Sequence, residues 1–253
     1  MVLVQSMLLA GRSLRFFTRN PQHVIAAFAF PLVLMFTQLA VLGELVAEVS
    51  GQPYVARIAP LVVLSTAAFG SAITAAAVYR DLHSGLLTRV RAMPVSPASL
   101  FGGRLFGDLL RILAVASLTT AVAFIPGFRF SAGLLAAVGF FGVVVLFGTL
   151  STAVGILVGT FGRSEESVQA ALSAPATLLF ILSSGFVPLE TFPGFLQPLV
   201  WANPLSSATQ ALIGLSHGGP VAVPLLVTLA WTAGVGILSV VLVARRYREL
   251  SRP

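Results

Sequence analysis

Few side chains in this sequence could perform chemistry, and their spacing limits what that chemistry could be. The two aspartates, Asp81 and Asp108, are far apart in the chain, which argues against a paired-carboxylate metal site. The three histidines stand in separate connections, at positions 23, 83 and 217. There is no cysteine, so disulfides and thiolate ligands are excluded. We therefore expect no metal site and no cofactor in this chain.

Hydrolytic chemistry is equally poorly supported. A P-loop uses a Lys to reach the β- and γ-phosphates of ATP, and all 15 basic residues here are Arg. Ser184 and His217 could be imagined as a hydrolytic dyad, but a Ser-Gly pair after an apolar segment is far more often a packing feature. We predict that the chain is not an enzyme.

Asp108 and Arg111 are charged residues within an otherwise apolar segment. Residues three apart share one helix face, so they can pair with each other or with Arg104. A structural ion pair is the simpler interpretation, and a role in lining a substrate path or in gating is the alternative. Ion-coupled carriers usually place carboxylates or His in mid-membrane, and the interiors of four other apolar segments contain none.

The elements that must position these residues are long apolar helices. The chain is 57% hydrophobic and only 9% charged, whereas ordinary globular domains contain about 25% charged residues. A spanning helix needs about 20 apolar residues, and continuously apolar runs favour helices over barrel strands. We predict an all-α integral membrane protein of one domain, with six transmembrane helices at about 22–43, 58–79, 100–125, 132–160, 168–187 and 221–243.

The distribution of Arg predicts the orientation of these helices. Of the 15 Arg residues, only Arg57 and Arg129 would lie outside if both termini lie inside. The positive-inside rule counts basic residues near span ends, so we predict an N-in, C-in protein of the bacterial inner (plasma) membrane. The same rule explains the net charge of +7 without nucleic acid as a partner.

The remaining segments are predicted to lie at the membrane surfaces. Residues 3–20 mix apolar side chains with Arg, which is typical of an interfacial amphipathic helix. Glu44 and Glu48 are assigned to a short acidic loop, and Pro97 to the first position of the third span. The stretch 186–218 is too broken by proline for a span and too apolar for a free loop. It predicts an outer re-entrant hairpin with one or two short helices.

The longest and most charged inner connection is the loop 80–97. Its residues 81–93 have helix-forming character, with Leu82, Leu86, Leu87 and Val90 available to pack into a partner groove. Because the chain has no visible energy source, an ATPase that docks on this loop would supply one. An ordinary interfacial helix that stabilises the bundle is the alternative, and the residues alone leave both possibilities open.

Two motifs resemble those of ABC-2 type export permeases. The run from Tyr79 to Ser96 resembles the family's inner loop, with its acidic residue, Gly, Arg-rich turn and final Met-Pro-Val-Ser. The run from Ser184 to Pro193, continuing to Asn203-Pro204-Leu205, resembles the outer re-entrant hairpin. The resemblance covers essentially the whole chain and is closest to the daunorubicin-resistance type. The family loop often has Glu where this chain has Asp81 and Thr88.

The resemblance implies a transporter of two membrane subunits and two separate ABC ATPase subunits, with ATP and Mg on the ATPase. The second membrane subunit would be another copy or a paralogue. The implied cargo is hydrophobic or amphipathic: anthracyclines, or envelope lipids such as phthiocerol dimycocerosate. By position, the implied coupling residues are Asp81, Leu82, Gly85, Leu86, Leu87, Arg89, Val90 and Arg91. The implied hairpin residues are Gly185, Pro188, Glu190, Pro193, Asn203 and Pro204.

Two other functions stay open on the residues alone. A non-transporting membrane scaffold or assembly protein would keep its membrane behaviour after mutation of the inner loop, whereas a transporter would lose transport. An ion-coupled drug carrier would need mid-membrane carboxylates, which the sequence largely lacks.

Overall fold

The computed structural model describes residues 21–51, 53–84 and 97–250, and all regular structure in these ranges is helical. A single turn of 3₁₀ helix, Leu189–Thr191, lies between the fifth and sixth α-helices. The α-helices are α1 Pro21–Ser50, α2 Val55–His83, α3 Pro97–Ala123, α4 Leu134–Phe161, α5 Glu165–Ile181, α6 Gln197–Ala202, α7 Pro204–His217 and α8 Ala222–Leu250.

Among the described residues, five helical segments are long and apolar enough to cross a membrane. Their presence, with no strand in the same ranges, is the architecture of an integral membrane protein. Helix α5, at 17 residues, is shorter than these. The five segments are Pro31–Val49, Val55–His83, Gly102–Ala123, Leu134–Phe161 and Ala222–Arg246.

The first helix is longer than the sequence suggested. Glu44 and Glu48 lie inside α1, so their assignment to a loop is wrong. Glu, Leu and Ala are good helix formers, and the helix ends only where Gly51 adopts a φ of 66°. Gly51 donates its backbone N–H to the Ala47 carbonyl at 2.9 Å, as expected for a helix that ends in a left-handed glycine.

The second helix also continues past its predicted end near residue 79. Asp81, Leu82 and His83 form the last turn of α2, so the first part of the predicted loop 80–97 is helical. Helix α3 begins at Pro97, the predicted first position. The predicted interfacial helix 3–20 and residues 85–96 of the predicted loop lie outside the described residues.

Helix α2 is the centre of the bundle. In its membrane-length segment 78% of residues are buried, against 11% for α1 and 22% for α8. It packs against α1, α3, α4, α5 and α7. Many of its residues between 65 and 77 are Ala, Gly, Ser or Thr, and small residues let transmembrane helices approach closely.

Helices α2 and α4 approach each other closely. A Cβ atom added at Gly155 would lie 2.6 Å from the Ser71 carbonyl oxygen, and one at Gly159 would lie 2.5 Å from the Ala75 carbonyl oxygen. Both separations are far below van der Waals contact. The two glycines therefore set the distance between these helices.

The helix directions define two ends of the bundle. Val78, Ile156 and Val243 form one buried cluster near the C-terminal ends of α2, α4 and α8. We call this the basic end, because Arg80, Arg104 and Arg163 lie there. The opposite end contains residues 182–221, including α6 and α7, and we call it the hairpin end. The two short helices agree with the prediction of one or two helices in this stretch.

We predict that Gly159→Ala destabilises the protein, because the new methyl group must push α2 and α4 apart. Overpacking of this kind costs about 1–3 kcal/mol. Gly142→Ala is the matched control on the same helix, since nothing lies within 4 Å of its Cβ position. It should be neutral or stabilising, because Ala is the better helix former. Thermal midpoints in detergent measure both, and equal midpoints would contradict this account of the packing.

Candidate functional site

The basic end holds a network of charges that joins α2 to α3. Arg104, near the start of α3, places its Nη1 atom 3.5 Å from Asp81 Oδ2 in the last turn of α2. Its Nε atom lies 3.5 Å from Asp108 Oδ2, one turn further along α3. One guanidinium therefore contacts a carboxylate from each helix.

Asp108 is the buried centre of this network. Its residue is 8% exposed, and its Oδ2 atom accepts a 2.7 Å hydrogen bond from Thr74 Oγ1 on α2. Its Oδ1 atom lies 3.9 Å from Arg111 Nε. We refer to Asp81, Arg104, Asp108, Arg111 and Thr74 together as the Arg104 network.

Arg111 is the deepest charge of the network, close to the middle of the apolar segment Gly102–Ala123. Its guanidinium packs on the backbone of Gly70, where an added Cβ would lie 2.8 Å from Nη2. Nη2 is buried with no hydrogen-bond partner among the described residues. A charge at this depth is costly unless it is paired, so Asp108 is required to hold Arg111 in place.

The last turn of α2 also contacts the connection between α4 and α5. Arg80 forms a salt bridge with Glu165 at the start of α5. Tyr79 Oη donates a 2.9 Å hydrogen bond to the Arg163 carbonyl, and its ring stacks on His83 at 4.1 Å. The helix end that leads into residues 85–96 is thus attached to both α3 and α5.

The predicted coupling residues divide between described and undescribed parts of the chain. Asp81 and Leu82 lie in the last turn of α2. The predicted pair of Asp108 and Arg111 lies within ion-pair distance. The sequence indicated Arg104 as a partner for that pair but gave no sign of Thr74 or Gly70. Only the packing of α2 on α3 shows these contacts. Gly85, Leu86, Leu87, Arg89, Val90 and Arg91 lie outside the described residues.

At the hairpin end, Asn203 joins the end of α5 to the start of α7 through three backbone groups. Its Nδ2 atom donates to the carbonyls of Leu179 and Leu182 at 2.7 and 2.9 Å, which satisfies acceptors at the C-terminal end of α5. Its Oδ1 atom accepts from the Leu205 N–H at 2.8 Å and caps α7. Pro204 occupies the first position of α7, where its missing N–H costs nothing.

Gly185 lies against α2 and α7 in the turn that follows α5. An added Cβ would be 2.5 Å from Thr209 Cγ2 and 3.0 Å from Leu61 Cβ, so only glycine fits without rearrangement. Arg57 on α2 donates to the neighbouring Ser184 carbonyl at 2.7 Å. Pro188 precedes the 3₁₀ turn that contains the exposed Glu190, and Pro193 follows that turn. The predicted hairpin residues thus lie in one folded unit.

Ser184 and His217 each bond to a different residue. Ser184 Oγ accepts from Gln210 Nε2 at 3.0 Å, whereas His217 Nδ1 lies 2.8 Å from Ser216 Oγ. Burial lowers the pKa of His217 and keeps its ring neutral at neutral pH. Among the described residues, no three His, Asp or Glu side chains form a group that could hold a metal ion.

The comparisons with known proteins decide the family. Residues 4–215 match the ABC-2 type transporter family. The chain belongs to this family. It is 32% identical to a probable doxorubicin resistance ABC transporter permease of Mycobacterium tuberculosis over 98% of this chain and 90% of that protein. It is 29% identical to a daunorubicin resistance ABC transporter permease of Streptomyces coeruleorubidus over 94% and 84%.

Membership of this family is consistent with the helical architecture. An ABC-2 type chain with several apolar helices is a multi-pass membrane protein. A second Mycobacterium tuberculosis relative, a doxorubicin resistance ABC transporter permease, is 30% identical over 76% of this chain and 69% of that protein. The resemblance inferred from the two motifs is therefore confirmed.

We predict that Thr74→Val lowers stability, because Asp108 loses its shortest hydrogen bond while its charge stays buried. Removing one partner of a buried polar group costs about 1–3 kcal/mol. Thr152→Val is the matched control: Thr152 is equally buried on α4, and its hydroxyl has no partner among the described residues. The thermal midpoint should fall for Thr74→Val and change little for Thr152→Val. Equal shifts would show that Asp108 does not depend on Thr74.

Proposed function

We propose that this chain is the membrane-spanning permease subunit of an ATP-driven ABC exporter of hydrophobic or amphipathic compounds. The observation that carries the proposal is family membership combined with relatives named as drug-resistance permeases, which align over most of both chains. The charged attachments at the basic end add a physical route by which a partner could act on the helices.

The proposed topology has six spans with both termini in the cytoplasm. Five spans are the apolar helices described above, and α5 is the sixth. Its 17 residues extend about 26 Å, which is at the lower limit for crossing the hydrocarbon layer. The Arg distribution places the basic end in the cytoplasm. The hairpin of α6 and α7 then enters the outer leaflet without crossing it.

Energy comes from a separate ABC ATPase that docks on residues 81–93. The chain has no Lys for a P-loop, so ATP and Mg are bound by that partner. Asp81 and Leu82 form the helical start of the docking segment, and they are attached directly to the core helix α2. Because the last turn of α2 also contacts α3 through Asp81 and Arg104, force on the loop reaches both of these spans.

A second permease subunit, either another copy or a paralogue, completes the transporter. The other described residues leave a long apolar face of helix α1 uncovered, with only 11% of its membrane-length segment buried among them. That face includes Val33, Phe36, Val41 and Leu45. A partner subunit can cover part of it and leave the rest to lipid.

The proposed cargo is an anthracycline-like drug, with complex envelope lipids as the second class. Doxorubicin and daunorubicin resistance appear in the names of the relatives. Helix α4 has a mean hydropathy of 2.3 and contains no charged residue. Such a helix suits an amphipathic cargo better than an ion. Asp108 is engaged by Thr74 and two Arg, so it is a poor candidate for the free carboxylate of a proton-coupled carrier.

Copurification tests the proposal. We expect the tagged chain, extracted in mild detergent, to recover a separate ABC ATPase subunit from the same membranes. The double variant Leu86→Glu/Val90→Glu should lose the ATPase, because two carboxylates would enter the apolar docking contact. The matched control Leu199→Glu places one such change at an exposed position of α6 at the hairpin end and should keep it.

The outcome also separates the alternative functions. Loss of the ATPase from the loop variant alone, with loss of ATP-driven doxorubicin export, supports a permease. If the wild-type chain recovers no ATPase, the proposal is wrong and a non-transporting scaffold becomes the better account. Export that persists without ATP but follows a proton gradient would indicate a carrier.

A further inference from the structure

We propose that Arg104 is a positioning residue that transmits movement of the docking loop to the middle of the membrane. It does so by moving between two carboxylates, Asp81 at the loop and Asp108 inside the span. This inference rests on the proposed function and adds a residue to its mechanism.

Asp81 and Arg104 lie on the two sides of residues 85–96 in the chain. Asp81 is in the last turn of α2, just before residues 85–96, and Arg104 is near the start of α3, just after them. The contact between Asp81 and Arg104 therefore closes the base of the loop. Any displacement of the loop relative to the bundle acts first on this contact.

Neither carboxylate holds Arg104 at close range, and its Nη2 atom donates a similarly long hydrogen bond, 3.5 Å, to the Thr74 carbonyl. Charge-assisted hydrogen bonds between nitrogen and oxygen are usually 2.7–2.9 Å long, yet both carboxylate contacts of Arg104 are 3.5 Å. The side chain of Asp81 is 42% exposed and that of Asp108 only 11%. Solvent weakens the first pair, whereas burial strengthens the second. Small loop movements can thus change which carboxylate Arg104 favours.

The charges inside the span are balanced only when Asp81 takes part in the network. Arg104, Asp108 and Arg111 together have a net charge of +1, and Asp81 brings the network to neutrality. When Asp81 moves away, Arg104 closes on Asp108, where Arg111 already lies 3.9 Å from the other oxygen. The two guanidiniums then compete for one buried carboxylate, and the hold on Arg111 weakens.

Competition for Asp108 affects the packing of α2 on α3. The Arg111 guanidinium rests directly on Gly70 of α2, and Thr74, one turn away, donates to Asp108. Movement of Arg111 therefore changes the contact between α2 and α3 close to mid-membrane. We infer a second arrangement of the network, in which Arg104 contacts Asp108 alone, and the position of the loop selects between the two; a two-state element of this kind is what coupling between distant sites requires.

Arg80 provides the contrast. It occupies the same end of α2, next to Asp81, but its salt bridge goes to Glu165, and the two side chains are 52% and 33% exposed. Exposed pairs of this kind contribute little, and this one does not lead into the span. Arg80→Gln is therefore the matched control for Arg104→Gln.

The experiment measures ATP hydrolysis and ATP-dependent doxorubicin transport by the complete transporter in proteoliposomes. We expect Arg104→Gln to keep the ATPase bound and hydrolysing while transport per ATP falls roughly tenfold, which lies within the usual range of coupling between sites. Arg104→Lys keeps the positive charge and should recover part of the transport per ATP. Asp81→Asn should lower it too, and the double variant should be no worse than Arg104→Gln alone. Arg80→Gln should leave it unchanged.

Two results would overturn the inference. An unchanged transport-to-hydrolysis ratio in Arg104→Gln would show that the network does not transmit force. Joint loss of ATPase binding and hydrolysis would show that Arg104 acts in docking instead.

Failure of the wild type to move doxorubicin or a fluorescent lipid in response to ATP would overturn the proposed function. In that case thermal midpoints of Asp81→Asn, Arg104→Gln and the double variant still test the pair, and strictly additive shifts would refute it.

Discussion

A charge inside the hydrocarbon layer must be paired, and this constraint determines the arrangement of the basic end. Arg111 lies near the middle of a span, so Asp108 must be beside it, and Asp108 in turn holds Thr74 and Arg104 in place. Because these residues come from two helices, the requirement for charge pairing also fixes how α2 lies on α3. The same contacts end at Asp81, where the chain enters the proposed docking loop.

Close packing gives the bundle the rigidity that such a network needs. Gly155 and Gly159 bring α4 against the backbone of α2, and Gly70 makes room for Arg111. A helix packed this closely on several sides has little room for local rearrangement, which suits the proposed transmission of force from its last turn. At the hairpin end, Asn203 fixes α7 to the end of α5 by three backbone contacts. The two ends of the molecule are therefore both tied to the same core helices.

Much of the fold could be predicted because apolar length, proline and arginine placement are local signals. They indicated the helices and the broken hairpin, but they failed at Glu44 and Glu48, whose helix propensity outweighs their charge. The site was only partly predictable. The spacing of Arg104, Asp108 and Arg111 shows one helix face, whereas Thr74 and Gly70 lie on another helix, with Thr74 34 residues before Asp108. Their contribution follows from α2–α3 packing, for which the sequence has no local pattern.

The most direct test of the account is to find which end of the bundle meets the ATPase. The chain contains no cysteine, so Ser84→Cys at the exposed end of α2 and Gly194→Cys in the open part of the hairpin give single reporters without background. A cross-linker with one thiol-reactive end and one photoactivatable end, which needs no thiol on the partner, is applied to membranes that contain the chain and its ATPase. We expect Ser84→Cys to cross-link to the ATPase and Gly194→Cys not to. Cross-linking from Gly194→Cys, or from neither position, would contradict coupling through the basic end.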